Sequence, residues 1–350
     1  MDRKLTGNLN TTGIGSLPFT DPEAAVTFVL ENGPDIPFWP QLPAKTPAED
    51  MIAQFVPGMP CVRWDGAEKQ IILDTSDKYG ELEKFYTSYL SGDHAHFALH
   101  SEHASGFFAF REALQTAGKK PAALKGQITG PLTFTMGISD QDGRTLYSDP
   151  ELRDAAVKLL TYSACWQAQQ LKDLGAKEVV IFADEPVLAA YGSSAYVGIS
   201  EEAVTGMLSE IFNAISDAGA IPGMHVCGNS DWAMAMRCGP VILNFDAYQY
   251  GATLGLYAGD LKQFLDGGGV VAWGIVPTTT DIENENLESL MSRFNSVLDG
   301  LEAKGISRSE ILKQSLLTPS CGAGSLDDRR AEKVFSLLKA LKFALRACTL

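Results

Sequence analysis

A histidine and a cysteine stand two apart in HVCG, His225 and Cys227, where an apolar run ends. In an extended strand, residues i and i+2 project from the same face, so the imidazole and the thiol would point at one spot. A further sulfur, Cys321 in TPSCGAG, follows another apolar run. Two thiolates and an imidazole form a soft donor set that suits Zn²⁺. Three protein ligands with one position left open is the catalytic arrangement, whereas structural sites more often show CxxC pairs. The simplest fourth protein ligand is Asp246, from the run between them. The same residues could be ordinary core residues at strand ends, because cysteine is among the most buried types. The company of Cys321 favours the metal. Cys61, Cys165, Cys238 and Cys348 lack such company: Cys165 and Cys348 read as core residues on helices, and Cys238 as a spare thiol near the site.

Carboxylates end another run. FADEP sets Asp184 and Glu185 after EVVI, where an unpaired charge is costly to bury. Each needs a cation or several hydrogen-bond donors; a substrate ammonium would serve Asp184, and so would a neighbouring lysine or arginine. Gly15 and Ser16 supply a close backbone approach and a hydroxyl, both suited to a carboxylate, or else a simple turn before Pro18. Gln41, Gln127 and Thr129 end further runs. The other histidines crowd into HAHFALHSEH as His94, His96, His100 and His103. On a helix the last three would share a face and could hold a second metal. No acid-base partner of fixed geometry accompanies them, so solvated imidazoles are the better expectation. Glu102 is the more interesting residue of that segment.

Residues this far apart converge only if the chain presents them from neighbouring strand ends. Eight short apolar runs can be marked: TTGIGSLPF, IPFWPQLP, AALKGQITGP, EVVIFADEP, AIPGMHVCG, VILNFDAYQYG, VVAWGIVPT and SLLTPSCG. Amphipathic stretches separate most of them, the pattern of parallel strands with helical crossovers. About eight such units predict an α/β fold, a (β/α)₈ TIM barrel, whose active face lies at the strand C-termini. The interval from Ala44 to Lys120 is too long for one crossover. Within it CVRWDGAEKQIILD reads as a hairpin turning at Asp65 and Gly66, followed by helices near Lys78 to Tyr89 and Ser105 to Thr116. This is an elaboration after the second strand.

The chain has 350 residues, 45% of them hydrophobic. That is enough for a large core, and without a Pro/Ser/Gly-rich linker a single domain spanning residues 1–350 is expected. A net charge of −15 and a pI near 4.8 argue against nucleic acid or an anionic membrane as partner. No secretory signal is evident, and no apolar run approaches the roughly 18 residues of a membrane span. The scattered cysteines suit free thiols in a reducing compartment, so a cytoplasmic location is expected.

The motifs IGSLPFT (from Ile14), KGQITGPLT (from Lys125), FADEPVL (from Phe182), HVCG (from His225), LNFDAY (from Leu243) and TPSCG (from Thr318) are spread over most of the chain. In these motifs and their order the sequence resembles the catalytic C-terminal half of cobalamin-independent methionine synthase. More widely, it is similar to the barrel methyltransferases related to uroporphyrinogen decarboxylase. The resemblance implies zinc-dependent transfer of a methyl group to the thiol of homocysteine, giving methionine. It implies that His225, Cys227 and Cys321 are zinc ligands, that Asp184 holds the substrate amino group with Glu102 as second acid, and that Ser16 with the Gly15 backbone contacts the carboxylate. A free thiol, with a pKa of about 8.5, would become the attacking thiolate on the metal.

The departures are informative. Asp246 stands where those synthases carry a glutamate ligand, VAWGIVPT lacks their catalytic histidine, and no second, N-terminal barrel is expected. Together these point away from a methyl-folate donor and toward methylcobalamin or another methylcorrinoid, free or on a corrinoid carrier protein. Rival readings are transfer to another thiol such as coenzyme M, which Asp184 argues against, and a non-catalytic zinc-binding barrel. A third, tetrapyrrole decarboxylation, would need no metal and an arginine-rich anion pocket, for which the first 60 residues offer only Arg3.

Overall fold

Strands covered on both faces can be apolar throughout, and the last six of the expected runs form such strands in the computed structural model. It describes residues 7–118, 120–193, 196 and 198–349, without the side chains of 348 and 349; Arg3 and the Cys348 side chain lie outside these. The strands are β1 (Asn10–Thr11), β2 (Val62–Asp65), β3 (Gln70–Leu73), β4 (Ala123–Thr129), β5 (Glu178–Asp184), β6 (Ile221–Val226), β7 (Ile242–Phe245), β8 (Val270–Val276) and β9 (Ser315–Pro319). Seven make one parallel sheet in the order β1-β9-β8-β7-β6-β5-β4. Helices flank this curled sheet, as in a TIM-barrel-like fold.

The sheet is not closed by a regular eighth strand, contrary to expectation. Segment 36–41, from the run IPFWPQLP, forms no ladder because Pro37 and Pro40 have no N–H to contribute. It reaches both edges by separate bonds instead. On one side Ile36 N donates to Thr11 O (3.0 Å) and Gln41 N to Gly15 O (3.1 Å); on the other, Lys125 N donates to Pro37 O (2.8 Å). β1 is likewise only two residues long, so the Gly13–Ser16 stretch is irregular backbone.

The crossover helices begin where capping residues dictate. Asp149 accepts from Glu151 N and Leu152 N with Pro150 at the first helical position, Ser200 accepts from Ala203 N, and Asn286 and Ser289 form a reciprocal capping box. The large core lies between these helices and the sheet. A second apolar cluster, including Val180, Phe182, Ile242, Ala272 and Leu316, lies on the opposite face of the strands. Continuing along that face by twos leads from Phe182 to Asp184, from Ile242 to Asn244, and from Leu316 to Thr318.

The expected elaboration is present. β2 and β3 pair antiparallel, and helices Lys78–Ser91 and Ser105–Ala117 follow. The hairpin turns through residues 66–69 rather than a two-residue loop, since Asp65 Oδ1 accepts from both Ala67 N (2.9 Å) and Glu68 N (3.2 Å). Among the described residues no helix is long and apolar enough to cross a membrane.

Candidate metal and ligand site

Parallel register sets the level of each side chain at the strand C-termini. Thr129 pairs with Asp184, Asp184 with His225, and His225 with Asn244, so these residues form one row across β4, β5, β6 and β7. Cys227 lies just beyond β6 and Cys321 just beyond β9. The ligand atoms of His225, Cys227 and Cys321 all lie within 4.8 Å of one another, the one such histidine, cysteine and carboxylate group found among the described residues.

The histidine is oriented by an amide. Both N–H groups of Asn244 are committed, to Ala272 O (2.9 Å) and Thr318 Oγ1 (2.8 Å), which leaves its Oδ1 to accept from His225 Nδ1 at 2.5 Å. A neutral imidazole protonated on Nδ1 carries its lone pair on Nε2. That Nε2 is buried and makes no hydrogen bond of regular geometry, and against its burial Cys227 and Asp184 raise the imidazole pKa. The two sulfurs share one proton unequally: the Cys321 thiol and then His225 stabilise a Cys227 thiolate, down to about 4, and this neighbouring thiolate pushes Cys321 far up. A bound dication would remove that conflict, because it favours both thiolates at once. An orphaned imidazole nitrogen and two sulfurs therefore fit Zn²⁺ as a donor set.

Beside this group lies a cavity of about 190 Å³, lined also by Ile14, Ser16, Gln41, Glu49 and Asp184. Asp184 is 6% exposed, and its Oδ1 is buried without a partner. Burial pushes its carboxyl up to about 6, with His225 and Lys125 pulling the other way. Glu49 is fully buried; its Oε1 accepts from Ser105 Oγ (2.5 Å) and Lys45 Nζ (3.1 Å), while Oε2 has no partner. Of the five buried side-chain N and O atoms left unpaired among the described residues, three belong to residues that line this cavity: Glu49 Oε2, Asp184 Oδ1 and His225 Nε2. Unpaired buried polar groups cost enough that this concentration marks a place for a ligand.

Ser16 faces the same space and is stitched to the Cys321 loop. Ala323 N donates to Ser16 O (2.8 Å) and Gly324 N to Ser16 Oγ (3.3 Å). A Cβ on Gly322 would lie 2.1 Å from Ser16 Oγ, so a larger residue there would displace the Ser16 hydroxyl. With a lone pair of Oγ occupied, the Ser16 hydroxyl proton remains free to donate. Gly15 is buried behind it.

Other expected residues sit elsewhere. Glu102 is exposed and does not line the cavity; Glu49, on the turn Pro47–Glu49, is the buried second acid that the sequence reading missed. Asp246 is outside the His225, Cys227 and Cys321 group: its Oδ1 caps a helical turn by accepting from Gln249 N (3.0 Å), and burial pushes its carboxyl up to about 6. Glu185 points away from the cavity and receives Leu132 N (2.8 Å), Thr133 N (2.9 Å) and Thr133 Oγ1 (2.6 Å). The clustered histidines serve separate backbone carbonyls, His96 at Gly58 O (3.2 Å) and His103 at Ala48 O and Ala53 O (both 3.1 Å). Cys238 is fully buried and outside the cavity lining, with its thiol pushed up to about 12 by desolvation, and Cys165 is half-buried on helix Pro150–Asp173.

Two solved structures share the fold over nearly the whole chain. One is a methyltransferase from Methanosarcina mazei, 15% identical, with a TM-score of 0.58 over 99% of this chain and 95% of that one. The other is a B12-independent methionine synthase from Shewanella sp. W3-18-1, in complex with selenomethionine, 13% identical, with a TM-score of 0.60 over 97% of this chain and 98% of that one. At such identities the likeness is one of fold. No family model matches the chain, and no curated protein matches it in sequence.

Proposed function

We propose that this chain is a zinc-dependent methyltransferase that moves a methyl group from a methylcorrinoid to the thiol of homocysteine, giving methionine. The observation that carries the reading is the grouping of His225 Nε2, Asp184 Oδ1 and Glu49 Oε2, all buried and unpaired, with two sulfurs around one small cavity. A soft-liganded dication accounts for the imidazole and sulfurs, and an ammonium accounts for the two carboxylate oxygens. The methyltransferase fold neighbours agree with this chemistry.

His225, Cys227 and Cys321 would hold the zinc ion, which when bound makes an incoming thiol a thiolate at neutral pH. Asp184 and Glu49 hold the ammonium of homocysteine, and the Ser16 hydroxyl donates to its carboxylate. The substrate sulfur is thereby presented at one orientation, which supplies much of the advantage in a bimolecular transfer. A methylcorrinoid would supply the methyl group, the substrate sulfur bonding to the methyl carbon as the carbon–cobalt bond broke, with that bond's electron pair left on the corrinoid and the thiol proton passed to solvent. A corrinoid carrier protein is the proposed partner that brings the donor. Transfer to a thiol without an amino group would leave Glu49 Oε2 and Asp184 Oδ1 unpaired. The residues lining the cavity include neither arginine nor lysine, which speaks against a polycarboxylate tetrapyrrole.

The test supplies purified protein with homocysteine and either methylcobalamin or methyl-folate, and measures methionine and zinc. We expect about one zinc per chain, methionine from methylcobalamin alone, and loss of both zinc and product in Cys227→Ser or Cys321→Ser. A wild-type chain that retains no zinc overturns the reading.

A further inference from the structure

The most anomalous charged group in the molecule is Lys125, in the middle of β4. It is fully buried, yet no carboxylate lies within ion-pair distance among the described residues. Lysine is almost never fully buried without a partner. Its ammonium donates to Ile14 O and to Gln127 Oε1 (3.1 Å), and lies 4.6 Å from the centre of the Phe182 ring. Burial lowers its pKa to about 8 while Asp184, acting from farther away, supports the charge. Lys125 does not itself line the cavity.

What it does touch is the Ile14–Ser16 turn, of which Ile14 and Ser16 line the cavity. A trans peptide is planar, with its C=O and N–H pointing in opposite directions. Fixing Ile14 O on the buried ammonium therefore turns the Gly15 N–H away from Lys125. Among the described residues neither Gly15 N nor Ser16 N donates a hydrogen bond, and the Ser16 hydroxyl is free to donate as well. Three donors not spent within the protein thus lie on one short turn whose Ile14 and Ser16 line the cavity, a set suited to an anionic oxygen pair. The turn has no regular ladder to hold it, because segment 36–41 beside it is interrupted by prolines. Gln127 completes the support by passing a hydrogen bond on to Trp39 O (3.1 Å).

We infer that Lys125 is a positioning residue that sets the Ile14–Ser16 turn for the carboxylate of the amino-thiol ligand, and so gives the site its preference for an amino acid over a simple aminothiol. This rests on the proposed function. Two ligands separate the roles: homocysteine, and 3-aminopropane-1-thiol, which has the same thiol and amine but no carboxylate. Zinc-loaded wild type and Lys125→Met are titrated with each by calorimetry. We expect wild type to prefer homocysteine by at least ~10-fold, the worth of a hydrogen-bonded charge. In Lys125→Met that preference should fall to about twofold or less, with aminothiol affinity within ~3-fold of wild type and zinc content unchanged. Retained preference, or an equal loss for both ligands, overturns the inference while leaving the proposed function standing. Binding of neither thiol by wild type overturns the proposed function and the inference with it. If Lys125→Met does not fold, Lys125→Gln takes its place, a drop in preference of at least ~3-fold supporting the inference and an unchanged preference refuting it.

Discussion

Asn244 is uncharged and does not line the site's cavity, yet it decides which nitrogen of His225 would be offered to a metal. Its two N–H groups are held by Ala272 O and Thr318 Oγ1, so it can present only an oxygen to Nδ1. Partners of this kind are worth about 10–100-fold in metal affinity. Asn244→Ala should weaken zinc by that factor, read by competition with a chromophoric chelator; an unchanged affinity would remove Asn244 from the role. Glu185 offers a second test. Burial pushes its carboxyl from 4.5 up to about 7, against the pull of the Thr133 and Leu132 donors. The folded state then holds more protons than the unfolded state between those values. Its contribution to stability is complete below pH about 4.5 and is lost as pH rises through about 7. Glu185→Gln should flatten the fall in urea-unfolding free energy between pH ~5 and ~7.5, and an identical slope in both proteins would contradict the assignment.

At the scale of elements, the site depends on strand ends held by side chains as well as by ladders. The short helix Pro131–Gly137 follows β4 closely, and Glu185 from the next strand receives its first N–H groups. Gly130 makes room for this: a Cβ there would lie 2.2 Å from Glu185 Cγ and Cδ. Gly130→Ala should therefore cost ~1–3 kcal/mol, measured by urea denaturation, as overpacking in a closed interior does. A loss below about 0.5 kcal/mol would mean the junction is looser than its packing implies. The turn bearing Glu49 is held by the long elaboration, through Ser105 Oγ on Glu49 Oε1 and His103 on the carbonyls of Ala48 and Ala53. The inserted segment thus serves the site by placing an acid.

For the whole molecule, the proposed metal would join parts of the sheet far apart in sequence. Cys227 follows β6 and Cys321 follows β9, with β7 and β8 between them in the sheet order. Binding to the folded state alone stabilises it by about 4 kcal/mol when free metal is 1,000 times its dissociation constant. Chelation should lower the thermal midpoint by several degrees, and restored zinc should recover it. A Cys227→Ser, Cys321→Ser double variant should show no response to either; a full response in that variant would place the metal elsewhere.

Local chemistry in the sequence was sufficient for much of this. The spacing of His225 and Cys227 keeps both at one strand end, with Cys227 just past β6 rather than in it, the capping residues open the crossover helices, and the last six apolar runs are strands because each is covered on both sides. The hairpin and the two helices of the elaboration follow from the same short-range rules. What spacing could not supply was distance between residues remote in the chain. That Cys321 meets His225 depends on strand order, and that Glu49 rather than Glu102 borders the cavity depends on how the insertion packs. Asn244 and Lys125 stood unremarked as candidates in their runs, since an amide or an amine gains its meaning only from the atoms that register and closure bring to it. The missing eighth ladder was written in Pro37 and Pro40, but the bonds that replace it belong to the tertiary structure, because backbone groups denied a regular partner must find one wherever packing provides it.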